Sequence, residues 1–582
     1  MYVCRWDVFL RLSAYIGKGA VMKDVLLSAN DAAVNQVSNS CRPSKSELIR
    51  EATMKFCAGV YHDKTYDLGA LGSQLLEITN QFIDNENAIR GNNEKFTKIK
   101  RLTHSQIADL IMATRHVKLI NCTGIADDPN GSDDVLGVYM SSGPFAGTYV
   151  SDCEAFNRLS LEIDYYLRES DLREIYRNMI HRAEKASRTT DPNLIAVNNG
   201  VFDYRSKELM PFDPSYIFLS KVTTDYVASA RPVYITEPDG STWDVDTWMN
   251  SLSNDPEIIT LLWQLLSAVV RPFVRWDKMV WLYAETGNNG KGTLVQLIRN
   301  LLGSASISIT LSQFDDKFGL AHLVGKTAVL TDEVNAGDKI DNLANLKAAV
   351  TGDLLHVEKK FKDIVQYRFH GMLIFCVNDK PQIKDKTGSF ARRLLIIPFS
   401  RCFTGQEKKY IKDDYLSRKD VLEYILNKVL NTDFYELSNP STCIQALEDF
   451  KEENDNVRLF VSEMISRISW DFAPYEFLYE LYKSWYRRNQ PVGNLEGKST
   501  FIKSIKKIVS EVDIGWESTV NPVRVKNLMN GPEMLIAEYD LQEWFNRTYT
   551  GHDLNIICQP TLKDTYRGIR RVTNSGYDID DT

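Results

Sequence analysis

The chain has 582 residues, with 69 Lys plus Arg against 77 Asp plus Glu for a net charge of −8; 43% of residues are apolar and 25% charged. At about 150 residues per domain this allows three or four cores, and the usage is that of a globular protein, which excludes a collagen-like, fibrous or mostly disordered chain. The acidic total excludes a uniformly basic coat, so any nucleic-acid site must be a local patch or a channel.

The first eighteen residues carry Arg5, Asp7 and Arg11 with no clean apolar stretch after a basic start, which does not read as a signal peptide. Helical patterns run over 44–61, opened by Ser44 and Glu47 at capping-box spacing, and over 105–115. A turn-rich stretch, 127–134, precedes two short strands expected within 135–150 around a Gly/Pro turn. Residues 151–188 read as helical up to a boundary at 187–192. Leu194–Val197 followed by Asn198-Asn199-Gly200 reads as a strand and a tight turn. A helix is expected over 257–270. The apolar region 258–284 is broken by Arg271, Arg275, Asp277 and Lys278 and is too charged to span a bilayer. The nine cysteines form no CxxC pair and do not cluster with histidines, which favours free thiols in a reducing cytoplasm over disulfides or a zinc ribbon.

Residues 275–400 alternate β-rich apolar runs (279–283, 327–330, 372–377, 394–399) with helical ones (294–302, 343–350), the pattern of an α/β domain with a mostly parallel sheet. The first strand runs into Thr286-Gly287-Asn288-Asn289-Gly290-Lys291-Gly292-Thr293 and then a helix, the context a phosphate-binding loop requires. Backbone N–H groups of the loop would face phosphates, and Lys291 would reach the β- and γ-phosphates as a point charge. Two positions depart from the usual motif: Glu285 replaces its first glycine, and Gly292 its hydroxyl. Thr293 is the hydroxyl left to serve a magnesium ion. A second apolar strand ends in Asp332 and Glu333. In an ATPase the first would hold magnesium and the second polarise the attacking water. A third ends in Asn378, whose amide could sense the γ-phosphate. Arg392 and Arg393 precede the next strand, where an arginine at a subunit edge could reach a neighbour's phosphate. Alone, each is equally a turn, a solvated acid or an internal ion pair. Together, in this order, they point to nucleotide chemistry.

Residues 354–370 read as a hairpin with its tip near Lys360, Phe361, Lys362 and Asp363, and Lys359 beside it, a composition suited to single-stranded DNA. The segment 475–509 gives two helical stretches rich in lysine and arginine. Strand-like runs follow at 518–525 and 533–537, suggesting a small winged-helix unit.

The set TGNNGKGT (286–293), LTDE (330–333), CVND (376–379) and FARRLLIIPF (390–399) resembles the superfamily 3 helicases, in their phage, plasmid and poxvirus-type primase–helicase branch. FDDKFGLAHLVGK (314–326), NNGVFD (198–203) and FLYELYKSWYRRN (477–489) look like further segments of that branch. The resemblance covers about 190–510. It implies a multidomain α/β protein with a central P-loop AAA+-type ATPase domain on a parallel sheet (256–410). Around it would lie an N-terminal mixed α/β accessory region (1–150), a domain preceding the helicase (151–255) and a C-terminal winged-helix-like region (411–582). It also implies ATP with Mg²⁺ between the subunits of a hexamer, Arg392 or Arg393 acting in trans, and hairpins drawing single-stranded DNA, 3′ to 5′, through the ring at a forked duplex. A primase, polymerase or single-strand-binding protein would be a natural partner.

Three functions follow from these readings. One is an ATP-dependent replicative helicase of a virus, phage, plasmid or mobile element, working in the host cytoplasm without a membrane. A variant of it is an initiator–helicase reading an origin through its C-terminal region, or a primase–helicase whose N-terminal primase has diverged: residues 1–150 show no zinc-ribbon set and no convincing carboxylate pair. The third is a nucleotide-dependent scaffold without motor activity.

Overall fold

The structure is a computed structural model and describes residues 42–62, 64–124, 134–237, 239–316, 319–334, 343–358, 364–381, 388–489, 495–512 and 514–572. The chain divides into two compact units: residues up to His116 with Cys153–Arg182, and Val117–Asp152 with the chain from Ala183 onward. That division cuts across the boundary expected at residue 150.

The first unit is helical: α1 (Lys45–Cys57), α2 (Leu68–Ala88), α3 (His104–Thr114), α4 (Cys153–Ile163) and α5 (Glu169–Arg182). The capping box at Ser44 forms, with the Glu47 carboxylate accepting from the Ser44 backbone N–H at 2.7 Å. Thr103 and Gln106 cap α3 in the same way. Such caps each contribute about 1 kcal/mol by satisfying amides at the helix start.

The second unit opens with a sheet in the order β3-β2-β1-β4, from β1 (Val117–Asn121), β2 (Val135–Tyr139), β3 (Tyr149–Val150) and β4 (Glu184–Ser187). The pair expected in 135–150 is therefore present. The helical reading of 151–188 holds only to Arg182, because Glu184–Ser187 pairs in parallel with β1. Its residues are mostly exposed, so no apolar period marked it as a strand. The Asn-Asn-Gly turn joins β5 (Leu194–Val197) to β6 (Gly200–Asp203), which pairs with β7 (Glu208–Met210). A short ribbon, β8 (Ile235–Thr236) and β9 (Thr242–Trp243), leads into α6 (Val245–Ser251).

Helix α7 (Pro256–Val270) starts at the Asp255 cap with proline in its first turn. It is apolar nearly all round, and Leu261, Leu262, Leu265 and Leu266 are fully buried, as expected of a helix inside a core. Truncating one of them to alanine would cost about 2–5 kcal/mol.

The central sheet is parallel throughout, in the order β11-β12-β15-β10-β16. Its strands are β10 (Met279–Tyr283), β11 (Ser306–Ile307), β12 (Ala328–Val334), β15 (Met372–Val377) and β16 (Leu394–Pro398). Val280, Leu282, Ile374 and Ile397 face one core, while Met279, Trp281, Phe375 and Ile396 face another. Burial on both faces explains why these strands read as continuous apolar runs. Helix α8 (Lys291–Leu302) follows β10. Helix α9 (Ala344–Thr351) precedes the antiparallel hairpin of β13 (Leu354–Glu358) and β14 (Ile364–Arg368). After the sheet come α10 (Gly388–Ala391, just before β16), α11 (Lys409–Asp413), α12 (Lys419–Asn431) and α13 (Ser441–Asn454).

The C-terminal part has its own aromatic core around Phe460, Trp470, Tyr482 and Trp485. It runs α14 (Asn456–Met464), β17 (Phe472–Pro474), α15 (Tyr475–Asn489), α16 (Lys498–Glu511) and β18 (Trp516–Ser518). Next come β19 (Val523–Arg524), α17 (Leu535–Glu538), α18 (Leu554–Ile557), β20 (Thr565–Tyr566) and β21 (Gly568–Arg571). Its three-stranded antiparallel sheet has the order β17-β21-β18. The strand expected over 533–537 is instead the short helix α17. Buried Glu533 fixes that turn, accepting from the Ser469 N–H at 2.7 Å and the Leu535 N–H at 3.3 Å.

Candidate nucleotide site

The chain between Tyr283 and Lys291 leaves the end of β10 and turns back into α8. Asn288 (φ 56°) and Gly290 (φ 88°) are left-handed. Only glycine suits position 290, since a Cβ there would lie 2.6 Å from a methyl of Leu252. Asn289 is buried, and its side-chain amide donates to the Thr286 carbonyl, stapling the turn. The Asn288 side chain donates to Glu407 at 3.0 Å, and its carbonyl accepts from the Phe403 N–H at 2.8 Å. Thr286 and Gly287 form the exposed crest. Gly292 and Thr293 lie half-buried in the first turn of α8, and Glu285 is exposed beside the Tyr283 hydroxyl.

Lys291 is 5% exposed. Its Nζ donates to Asn378 Oδ1 at 2.8 Å and to the Ala284 carbonyl at 3.2 Å. Burial pulls its pKa down from the ordinary lysine value, and the nearby Cys376 and Glu333 only partly oppose this. Asn378 stands just past the end of β15, and its Nδ2 donates to Glu333 Oε1 at 3.2 Å. A lysine, an amide and a carboxylate therefore form one hydrogen-bonded line across the ends of β10, β15 and β12.

Strand β12 carries both acids. Neighbouring residues of a regular strand face opposite sides, yet Asp332 and Glu333 are both exposed. The pairing with β15 shifts register between Thr331 and Val334. That bulge turns two successive carboxylates toward solvent, a common use of bulges beside functional sites. Asp332 is paired with Arg299 of α8, whose guanidinium donates at 2.9 Å. Nothing local in the sequence linked Arg299 to this carboxylate.

The two arginines differ. Arg393 is half-buried, with its guanidinium donating to the Ser389 carbonyl at 2.8 Å and to the Ser389 hydroxyl at 3.0 Å. Arg392 is exposed, and its side chain has no hydrogen-bond or ion-pair partner among the described residues. Its carbonyl accepts from Lys278 at 2.7 Å, which fixes its backbone. Lys359, Lys360 and Lys362, at the expected hairpin tip, lie outside the described residues, as do Asp127, Asp128 and Asp133.

Among the described residues, no group of three His, Cys, Asp or Glu side chains gathers to hold a metal. One exposed carboxylate and one hydroxyl, Asp332 and Thr293, nonetheless suit Mg²⁺, which keeps several waters and is completed by phosphate oxygens.

Three family profiles match the chain. Residues 163–254 match a D5 N terminal like family, 282–393 a family of unknown function (DUF5906), and 452–546 a Poxvirus D5 protein-like family. Among curated proteins, the helicase-named 121R of Invertebrate iridescent virus 3 is 20% identical over 51% of this chain and 35% of its own length. The helicase-named 022R of Frog virus 3 (isolate Goorha) is 24% identical over 41% of this chain and 28% of its own. The helicase-named L207/L206 of Acanthamoeba polyphaga mimivirus is 24% identical over 40% of this chain and 24% of its own. The matched region thus spans between a quarter and about a third of these relatives. Among solved structures, the apo NrS-1 C terminal region (305–718) has 14% identity and a TM-score of 0.39, covering 81% of this chain and 99% of that one. Profiles on both sides of the parallel sheet and helicase-named viral relatives thus make the chain similar to D5-type primase–helicases over these stretches.

Proposed function

We propose that the chain is an ATP-driven replicative DNA helicase whose motor is the sheet domain around Lys291. The observation that carries this reading is the Lys291–Asn378–Glu333 line at the ends of three adjacent parallel strands. Lys291 is buried with only neutral oxygens on its ammonium, which leaves its charge for an anion. Bound phosphates would draw it from Asn378. Asn378 would thereby report occupancy to Glu333, the base that orients the attacking water. Mg²⁺, when bound, neutralises charge on the β- and γ-phosphate oxygens. Thr293 and Asp332 would hold it, with Arg299 keeping the Asp332 carboxylate in place.

Arg392 rather than Arg393 is the residue for a neighbour's phosphate. Its side chain is exposed and has no hydrogen-bond or ion-pair partner among the described residues, whereas Arg393 is held by Ser389. A ring is needed for that role, and a hexamer is the family's usual form. Lys359, Lys360 and Lys362 remain the proposed DNA contacts at the hairpin tip, with translocation 3′ to 5′. The C-terminal order α14-β17-α15-α16-β18, with β19, α17, α18 and β20 before β21, and the sheet order β17-β21-β18 support a winged-helix reading. Lys498, Lys503, Lys506 and Lys507 are exposed on α16, the helix such a unit lays in a major groove. This favours the second reading, an initiator–helicase that also engages duplex DNA.

The test is the steady-state ATPase rate with and without single-stranded DNA, on wild type and Glu333→Gln, with mass photometry on the same samples. DNA-stimulated turnover that the variant loses, in a ring-sized species, is the expected result. ATP binding without DNA-stimulated turnover would favour the scaffold instead.

A further inference from the structure

Helix α13 leaves the sheet domain and passes, through Asp455 alone, into α14, the first helix of the C-terminal part. Asp455 accepts from the Val457 N–H at 3.0 Å and the Arg458 N–H at 3.3 Å. The junction is therefore a capped corner between two helices and not a loose linker.

Both sides of this corner are fastened. On the sheet side, Phe450 of α13 meets Trp281 of β10 edge-on, with ring centres 5.1 Å apart and both rings buried. Three residues further on, Glu453 pairs with Lys380 at 2.8 Å. The Lys380 side chain is only 7% exposed, and its ammonium lies 4.8 Å from the centre of the Tyr283 ring at the end of β10. A cation so buried depends on its partners, because water cannot replace them. Lys380 stands two residues after Asn378, whose side-chain oxygen accepts from Lys291. On the C-terminal side, Arg458 of α14 bridges Glu448 of α13 at 3.3 Å and Glu511 of α16 at 3.1 Å. One line of bonded groups thus runs from the phosphate-loop lysine, through α13, to the helix that carries Lys498, Lys503, Lys506 and Lys507.

Resting on the nucleotide and duplex readings above, we propose that α13 couples the two: occupancy of the phosphate loop sets the affinity of the C-terminal part for duplex DNA, with Lys380 as the connecting residue. Phosphates that draw Lys291 away release one side of the Asn378–Lys380 segment. Lys380 carries the shift to Glu453, and the capped corner passes it to α16. Coupling between binding sites is reciprocal, so duplex DNA changes nucleotide affinity by the same factor.

Fluorescence anisotropy of the full chain with a labelled blunt duplex, with and without saturating Mg·ADP, measures the coupling. Calorimetry with Mg·ADP, with and without the duplex, measures its reciprocal. In wild type each ligand is expected to shift the other's affinity about fivefold or more. Glu453→Gln and Arg458→Met should each bring that factor to within about twofold of one, while each ligand measured alone still binds. Retained binding of both ligands also reports that the variants are folded. A wild-type factor near one, or a factor retained in either variant, overturns the coupling and leaves both binding readings standing. Wild type that binds no Mg·ADP, or no duplex, removes that reading and the coupling with it.

Discussion

Asn378 joins the lysine to the carboxylate, so Asn378→Asp tests the line directly. The change keeps the oxygen that accepts from Lys291 at 2.8 Å and converts the N–H₂ that donates to Glu333 at 3.2 Å into a charged oxygen. A hydrogen bond to a charged group is worth about 1.5–3 kcal/mol. Two like charges at that separation repel by about 5 kcal/mol at an effective dielectric of about 20, but Glu333 is exposed, so solvent removes part of this. The extra attraction to Lys291 offsets more. About 1.5–3 kcal/mol is then the expected loss in the orientation of Glu333. It corresponds to a drop of about 10- to 150-fold in kcat. Phosphate release at saturating single-stranded DNA measures kcat, and calorimetry with ADP measures affinity, which should also fall because the new carboxylate competes with the phosphates for Lys291. A variant turning over within twofold of wild type would refute the role given to the amide.

Lys291→Ala should abolish hydrolysis while leaving Tm unchanged or slightly raised, because it removes an ammonium that burial already disfavours; a fall in Tm on thermal scanning would mean the lysine is a structural prop. Arg392→Ala should abolish DNA-stimulated ATPase in the assembled protein without a change in Tm, while Arg393→Ala should lower Tm by breaking the Ser389 contacts; the reverse pattern in paired activity and melting measurements would exchange their roles. His370 is pushed down to about 4 by burial, with Arg188 and Arg368 adding to the effect. Between that value and the ordinary 6.5 the unfolded chain binds a proton that the folded chain does not. The stability His370 contributes is therefore complete above about pH 6.5 and lost as pH falls toward 4, by about 3 kcal/mol. Denaturant midpoints of His370→Gln across that range should fall less steeply than those of wild type.

The loop, the acidic pair and Asn378 were legible because each sits at the end of a strand written as an unbroken apolar run, and sequence order alone puts such ends along one edge of a parallel sheet. What stayed hidden depends on side chains meeting from afar. Arg299 reaches Asp332 only because α8 packs against β12. The exposure of both Asp332 and Glu333 rests on a register shift that four letters cannot announce. Phe403 comes beside the loop only through its bond to Asn288, far back in the chain. Arg392 and Arg393 were indistinguishable as neighbours. They separate only once Ser389 is seen to hold one of them.

The sheet order has a consequence for how the protein is made. Strand β10 lies between β15 and β16, the last two strands of its sheet to be synthesised. Its run Met279-Val280-Trp281-Leu282-Tyr283 therefore emerges about 110 residues before its outer partner, Leu394–Pro398. At about 5–20 residues per second the ribosome needs roughly 5–20 s to deliver that partner. Until β15 is made, about 90 residues on, this apolar strand has both edges open, and one edge still waits for β16; pairings this distant in sequence also close slowly. Nascent chains halted between residues 284 and 390 should accordingly be the species that chaperones hold or that aggregate.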